Sequence, residues 1–499
     1  MDLFLLKSFL FLVLISLSFY FYSATKRSTK TGFKNHPMVG TLPEFLRHRH
    51  RIFDWIAEVL ATCPTNTSVF HRPGKNGVIT ASPLNVEHIL KTNFENYPKG
   101  DNFISVFEDL LGRGIFNSDD ELWKVQRKMV SYEFNTKSLR NFVIQNIMVE
   151  TETRLIPIFE NAAEKGLVLD FQDVLERFSF DNVSKLAFNF DPGCLAVEEN
   201  SIAGAEFMRA LATAAELSSG RFIYAIPFMW NIKKFFNIGS ERQLRESISS
   251  VHKFADNIIR SRINQQKGEE ADLLSRFIGS HIENSSPKFL RDIVISFILA
   301  GRDTTSSALS WFFWVLSSRQ DVQEKILNEL KSIRGQNGRN MGDAYSFEEL
   351  RDMQYLHAAI SESMRLYPPI WADIKRFRKD DVWPDGTFVR KDWFVSYNNY
   401  AMGRMESIWG NNCLEFRPER WLDEDGVCRQ ESPFRYAVFH AGPRMCLGKD
   451  MAYIQMKSIA ASVIERFEVN VQDKEKRPEV MLSLTLRMKG GLPITVRKR

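Results

Sequence analysis

A chain of 499 residues with 66 Lys and Arg against 61 Asp and Glu carries a formal net charge of only +5, far from the basic footprint of a nucleic-acid-binding protein. Hydrophobic residues make up 44% of it and 40 are phenylalanine, enough for a large apolar core and for lining a pocket that takes a lipid-like ligand. The cysteines (Cys63, Cys194, Cys413, Cys428 and Cys446) are odd in number and scattered. With no C-x-x-C pair and no H-E-x-x-H spacing, they argue against a disulfide framework or a zinc site and fit a reduced, cytosol-facing chain.

In chain order, Leu3 to Tyr22 is almost wholly apolar, about the length that crosses a bilayer as a helix. A cleaved signal peptide is the competing reading, but it requires small residues before the cut, where this chain has Phe19-Tyr20-Phe21-Tyr22. Lys26, Arg27, Lys30 and Lys34 follow, and positive charge stays on the cytoplasmic side. Residues 1–24 therefore read as a retained anchor, 25–45 as a basic, proline-containing linker, and 46–499 as one cytosolic domain. Val69–Arg72 and Val78–Thr80, joined by Pro73–Gly77, read as a β-hairpin. Beyond Ser82-Pro83 the pattern is mostly helical, with Gln265–Ala271 as an exposed connecting loop.

Trp123 and Arg127 lie four apart on one helical face, where an indole N–H and a guanidinium can clamp an anion; alone, the pair also reads as a packed tryptophan beside a surface arginine. Lys288–Ser318 reads as one long helix with Ser286 as N-cap and Pro287 in its first turn. Its run Ile293–Ala300 is apolar all round, which implies burial. Ala300-Gly301-Arg302-Asp303-Thr304-Thr305 interrupts that run with a glycine and hydroxyls that cost helix stability, the kind of local conflict found at functional sites. Ser346–Tyr367 reads as a second helix, opened by a Ser346/Glu349 capping box and stopped by Pro368-Pro369; Glu362 and Arg365 share one of its faces. Asp385-Gly386-Thr387 reads as a turn between strands, and Val480–Arg487 with Leu492–Arg497 as a final hairpin across Gly490-Gly491.

The stretch Phe439-His440-Ala441-Gly442-Pro443-Arg444-Met445-Cys446-Leu447-Gly448 holds a cysteine between glycines, with a helical run from Lys449. The glycines permit turns and close approach of a flat ligand. The helix start aims N–H groups and a positive dipole end at the sulfur, which favours the thiolate. A thiolate in such a loop can be an axial ligand of haem iron.

Phe439, Gly442, Arg444, Cys446 and Gly448 match the haem-binding signature F-x-x-G-x-R-x-C-x-G, and on these residues the chain resembles the cytochrome P450 monooxygenases. The resemblance implies a mainly α fold with small β-sheets, haem b lying between a long helix and the cysteine loop, and an N-terminal transmembrane helix. It implies Cys446 as the iron ligand, with Phe439 and Gly448 around the haem and Trp123, Arg127 and Arg444 as haem-binding residues, Trp123 and Arg127 on a propionate. Lys375 or Arg376 would supply a further propionate contact. The A-G-x-D-T-T match implies Thr304 hydrogen-bonding the oxygen being activated and Asp303 relaying protons. The E-x-x-R match implies Glu362 and Arg365, completed by Arg420, as a structural lock behind the loop.

The chain has no G-x-G-x-x-G fingerprint in a strand–helix context, so the resemblance implies electrons from a separate membrane-bound NADPH–cytochrome P450 reductase, with O2 as co-substrate. Lys124, Lys128, Arg444, Lys449 and Lys457 are candidates for a basic docking face, or for an ordinary solvated one. Endoplasmic-reticulum membrane residence with a cytosolic catalytic domain is implied as well. Residues 300–305, 442–444 and 380–387 resemble the plant branch that oxidises the ends of lipid chains. Its substrates are fatty acids, sterol side chains and jasmonate–amino acid conjugates, with fatty acids the first expectation. Trp371 and Phe377-Arg378-Lys379 replace the more usual small or aliphatic residues after the double proline, which points to a modified pocket. An oxygen-independent haem rearrangement enzyme or a haem carrier would not need the A-G-x-D-T-T pattern.

Overall fold

The computed structural model describes residues 32–36, 38–134, 137–196, 202–224, 228–264, 273–279 and 286–499. The apolar stretch read as an anchor and the loop 265–271 lie outside them. Among the described residues no helix is long and apolar enough to cross a membrane. The described residues are mainly helical with four small sheets, and they group into two compact units.

The first unit takes in the described residues up to Pro98 and those within Tyr224–Met229 and Ala372–Cys413. Its four-stranded sheet runs Thr67–Arg72, Lys75–Thr80, Phe394–Tyr397, Asp373–Arg376, with the middle pair parallel and the outer pairs antiparallel. The expected hairpin forms, but tighter than its sequence suggests: Arg72 already pairs with Lys75, leaving Pro73-Gly74 as the turn, with Gly74 at φ +68°. A second hairpin, Asp381–Val382 with Phe388–Val389, surrounds the expected turn, where Gly386 has φ +83°. Phe377 is buried against Tyr97 and Trp383, while Arg378 and Lys379 bond through their backbones to Asn96. Phe377 is therefore a packing residue, whereas the Arg378 and Lys379 side chains are exposed and Trp371 is half-exposed.

The second unit (Lys99–Ile223, Trp230–Trp371 and Leu414–Arg499) is built on the helix Pro287–Leu316. Its expected cap is in place, with the Ser286 side chain accepting from the Phe289 N–H. The helix is unbroken through 300–305. Gly301 serves packing: a Cβ built there would lie 2.4 Å from Val183 Cγ2 on the helix Phe171–Phe188, so the missing side chain lets the two helices approach closely.

Two expectations need correction. The stretch 346–367 is two helices, Phe347–Asp352 and Gln354–Leu366. The capping box at Ser346 and Glu349 is present, but the Glu329 carboxylate accepts from the Tyr355 and Leu356 N–H groups at 2.6 and 2.9 Å and starts a second helix. The final hairpin across Gly490-Gly491 does not form. Val480–Met481 pairs with Arg487–Met488, whereas Pro493–Lys498 pairs with Phe467–Val471 and Leu169–Asp170. Gly491, at φ +79°, passes against the Asp170 carboxylate, 2.1 Å from where its Cβ would stand, and the Leu492 N–H donates to that carboxylate. This contact sends the two segments to separate sheets.

Candidate active site

The loop 439–448 closes through the Cys446 N–H on the Phe439 carbonyl at 2.8 Å. His440 at φ +64° and Gly442 at φ +63° make the two turns that this closure requires, and the helix Lys449–Arg466 starts directly behind. Cys446 is exposed, yet burial among surrounding protein is the largest influence on its thiol and pushes its pKa up. The Gly448 N–H and the charges of Arg127 and Lys449 act in the other direction and favour the thiolate.

Two arginines flank the loop. Arg127 Nη2 donates to the Met445 carbonyl. Arg444 lies over the Trp123 ring at 4.3 Å and bonds Asp119 Oδ1 at 2.7 Å and the Ser118 carbonyl at 3.0 Å. Trp123 itself is buried. The sequence spacing that puts Trp123 and Arg127 on one face thus meets the cysteine loop, with Arg444 stacked on the tryptophan. Phe134, at the end of the same helix Asp120–Phe134, lies 3.3 Å from the position of a Gly448 Cβ and stacks on Phe297 of the long helix at 6.4 Å. Phe134 therefore ties the loop to that helix. Phe439 packs its ring 5.3 Å from Tyr453.

Behind the loop, Glu362 is fully buried and is bonded on both oxygens. It accepts from Arg365 Nε and Nη2 at 2.7 and 2.8 Å, from Arg420 Nε at 3.3 Å, from Trp421 Nε1 at 2.9 Å and from the Arg417 N–H at 3.0 Å. Trp421 is a partner that its place in the sequence did not reveal.

On the long helix the residues from Ile293 to Leu299 are buried, whereas Ala300 and Thr304, one turn apart, are half-exposed. Thr304 Oγ1 donates to the Ala300 carbonyl at 2.6 Å. Asp303 points elsewhere: Oδ1 accepts from Arg302 Nη1 at 2.9 Å, and Arg302 Nη2 reaches Glu176 at 2.8 Å. Glu176 and its second partner Arg487 carry no motif signal. Arg302 does, as a charge set inside an apolar run.

The two candidates for a further propionate contact lie in the first unit, where Lys375 is buried beside Asp373 at 3.1 Å and Arg376 pairs with Asp392 at 3.2 Å. The five-residue basic face is not one surface. Lys457 is buried and donates to the Leu350 carbonyl, its pKa pushed down to about 8 by burial, and Arg444 is turned inward on Trp123. Lys124 and Lys128 remain exposed.

These residues fit a haem. A flat apolar macrocycle with two carboxylates needs one axial donor, cations for the carboxylates and an accessible wall. The donor is Cys446 with its thiolate-favouring neighbours, the cations are Arg127 and Arg444, and the wall is the half-exposed Ala300 and Thr304. Among the described residues no group of three His, Cys, Asp or Glu could hold a metal directly, so a lone cysteine suits a metal that brings its other ligands with it.

The fold and this loop are those of a haem-thiolate enzyme. The sequence profile of the family Cytochrome P450 matches residues 31–493. Cytochrome P450 CYP94D108 of Paris polyphylla is 53% identical over 92% of this chain and 91% of its own length. Cytochrome P450 94A1 of Vicia sativa is 43% identical over 93% of this chain and 90% of its own. Cytochrome P450 86B1 of Arabidopsis thaliana is 42% identical over 100% and 91%. The chain belongs to the cytochrome P450 family. Members are monooxygenases that use haem iron, O2 and NADPH-derived electrons passed by a redox partner, and this chain is an enzyme of that class.

Proposed function

We propose that this chain hydroxylates the terminal carbon of a lipid-like substrate, a fatty acid before a sterol side chain or a jasmonate–amino acid conjugate. The observation that carries this reading is similarity along nearly the whole chain to plant cytochromes of the 94 and 86 lines. It agrees with the resemblance of residues 300–305, 380–387 and 442–444 to the branch that oxidises lipid chain ends. Phe377 is buried and Trp371 is half-exposed, which supports Trp371 as a residue that would modify the pocket.

Cys446 would hold the haem iron, its charge stabilised by the Gly448 N–H and Arg127. Trp123, Arg127 and Arg444 would hold propionates, and Phe439 and Gly448 would lie around the ring. The haem supplies activation of O2 when bound. Thr304 and Asp303 then hold and move protons beside it, and the Glu362–Arg365–Arg420 cluster keeps the loop in register. Residues 1–24 anchor the domain to the endoplasmic-reticulum membrane on its cytosolic side, where a membrane-bound NADPH–cytochrome P450 reductase supplies electrons. The presence of Asp303 and Thr304 favours this over oxygen-independent rearrangement or haem carriage.

The test is incubation of microsomes holding this protein and the reductase with NADPH and a panel of fatty acids, sterols and jasmonate conjugates. Terminal hydroxy fatty acids are expected. Product from sterols or conjugates alone would overturn the fatty-acid assignment, and NADPH-independent conversion would overturn the monooxygenase role.

A further inference from the structure

Neighbouring side chains on a helix do not ordinarily face each other, yet Arg302 Nη1 and Asp303 Oδ1 are 2.9 Å apart. Something outside the helix turns the guanidinium back. That partner is Glu176, whose Oε2 accepts from Arg302 Nη2 at 2.8 Å. The reach is possible because Gly301 lets the helix Phe171–Phe188 approach closely at Val183, and Glu176 lies seven residues from Val183, two turns along the same face.

Glu176 is itself fixed from the other side, by Arg487 Nε at 2.6 Å and Nη2 at 3.0 Å. The four charges alternate as Asp303, Arg302, Glu176, Arg487. The Arg302 and Glu176 side chains are 2% and 6% exposed and Asp303 10%, while Arg487 at 29% opens outward. Burial pushes the Glu176 pKa up, the two arginines pull it back, and Asp303 pushes it up again. Arg302 is held charged by Asp303, Glu176 and Asp173 against the cost of its burial. Beside this row lies a small cavity of about 10 Å³, the space of about one water, lined by Ser306, Ser307, Thr485 and the exposed Glu216 as well as the four charges.

We propose that Glu176 is a positioning residue for Asp303. By holding Arg302 it fixes one oxygen of Asp303, and it shares with Asp303 the guanidinium charge that Asp303 meets. Asp303 can then exchange a proton with water in the cavity, between Ser306, Ser307, Thr485 and Glu216. This inference rests on the reading of Asp303 as a proton relay. It adds that the ease of that relay is set from a different helix.

The experiment compares Glu176→Gln, Asp303→Asn and the double variant as holoenzymes, each first shown to give the thiolate-type CO spectrum. One readout is product formed per NADPH consumed across pH. The other, independent of turnover, is the infrared titration of the carboxylic-acid band that disappears in Asp303→Asn. Glu176→Gln is expected to lower product per NADPH and to move the band's titration about one pH unit downward, since Arg302 then presents more uncompensated charge to Asp303. The double variant should be no worse than Asp303→Asn. If Asp303→Asn leaves product per NADPH unchanged, the underlying relay reading fails. If it lowers the yield but Glu176→Gln titrates and couples as the parent does, the relay stands and the role of Glu176 is overturned. Should Glu176→Gln fail to hold haem, Arg487→Gln, which weakens the outer end of the row, must produce a smaller shift in the opposite direction, and its absence overturns the proposal.

Discussion

Gly301 and Val183 are in contact through a missing side chain: a Cβ on Gly301 would stand 2.4 Å from Val183 Cγ2 and 2.7 Å from its Cβ. The close approach of two long helices therefore depends on hydrogen at one position. Gly301→Ala gains helix propensity but must push a β-branched side chain that has little rotamer freedom. The expected outcome is a net loss of about 1–3 kcal/mol, read from denaturant unfolding of the holoprotein. Val183→Ala made together with it should recover part of that loss in a double-mutant cycle. Additive losses would mean that the two residues do not compete for the same space.

The Glu362 carboxylate bonds both Arg365 and Arg420, and it also accepts from Trp421 and the Arg417 N–H. Glu362→Gln keeps the shape but leaves buried guanidinium charge without its counter-ion, which costs roughly 3–5 kcal/mol. A fall in unfolding midpoint together with loss of the thiolate-type CO spectrum is expected. Retention of both would make the cluster an ordinary ion pair rather than a lock on the loop.

These partners explain what could be read from the sequence and what could not. Ser286 and the Ser346/Glu349 box lie within three residues of the groups they cap, so local pattern reveals them. Trp123 and Arg127 were legible by helical spacing, and the cysteine loop by its glycines. The break at Met353 was hidden because Glu329, from a different helix, makes the second cap. Gly490-Gly491 suggests a hairpin turn equally well as a crossing over Asp170, and only the tertiary contact decides. Glu176 and Arg487 look like any helical glutamate and strand arginine until Arg302 brings them together.

Asp292 gives a pH signature. Its carboxylate sits against Gly112, accepts from the Arg113 N–H at 2.9 Å, and has its pKa pushed up to about 6. Burial is the largest cause; the Arg113 N–H, Lys288 and Arg291 oppose it, and Glu108 adds to it. A native pKa above the unfolded value of 3.8 means the native state binds the proton more tightly. The stability this confers is complete below that value and is lost as pH rises through about 6. Asp292→Asn removes the group while its amide oxygen can still accept from Arg113. The variant should show a flatter melting-temperature profile than the parent between those pH values, with its relative gain largest above pH 6. Parallel profiles would mean that Asp292 does not carry the dependence.

Thr304 spends its hydroxyl on the Ala300 carbonyl, 2.6 Å away on its own helix. Such a back-bond adds little to a helix and slightly strains it, and alanine is the better helix former. Thr304→Ala should therefore leave melting temperature, haem content and CO spectrum as in the parent, or raise the first a little. If the hydroxyl is there to handle protons beside the activated oxygen, product formed per NADPH must fall, with the missing reducing equivalents recovered as peroxide or water. Thr304→Ser, which keeps a hydroxyl at the same position, should restore most of the yield. Unchanged yield in the alanine variant would remove Thr304 from the chemistry and leave it a residue of the helix wall.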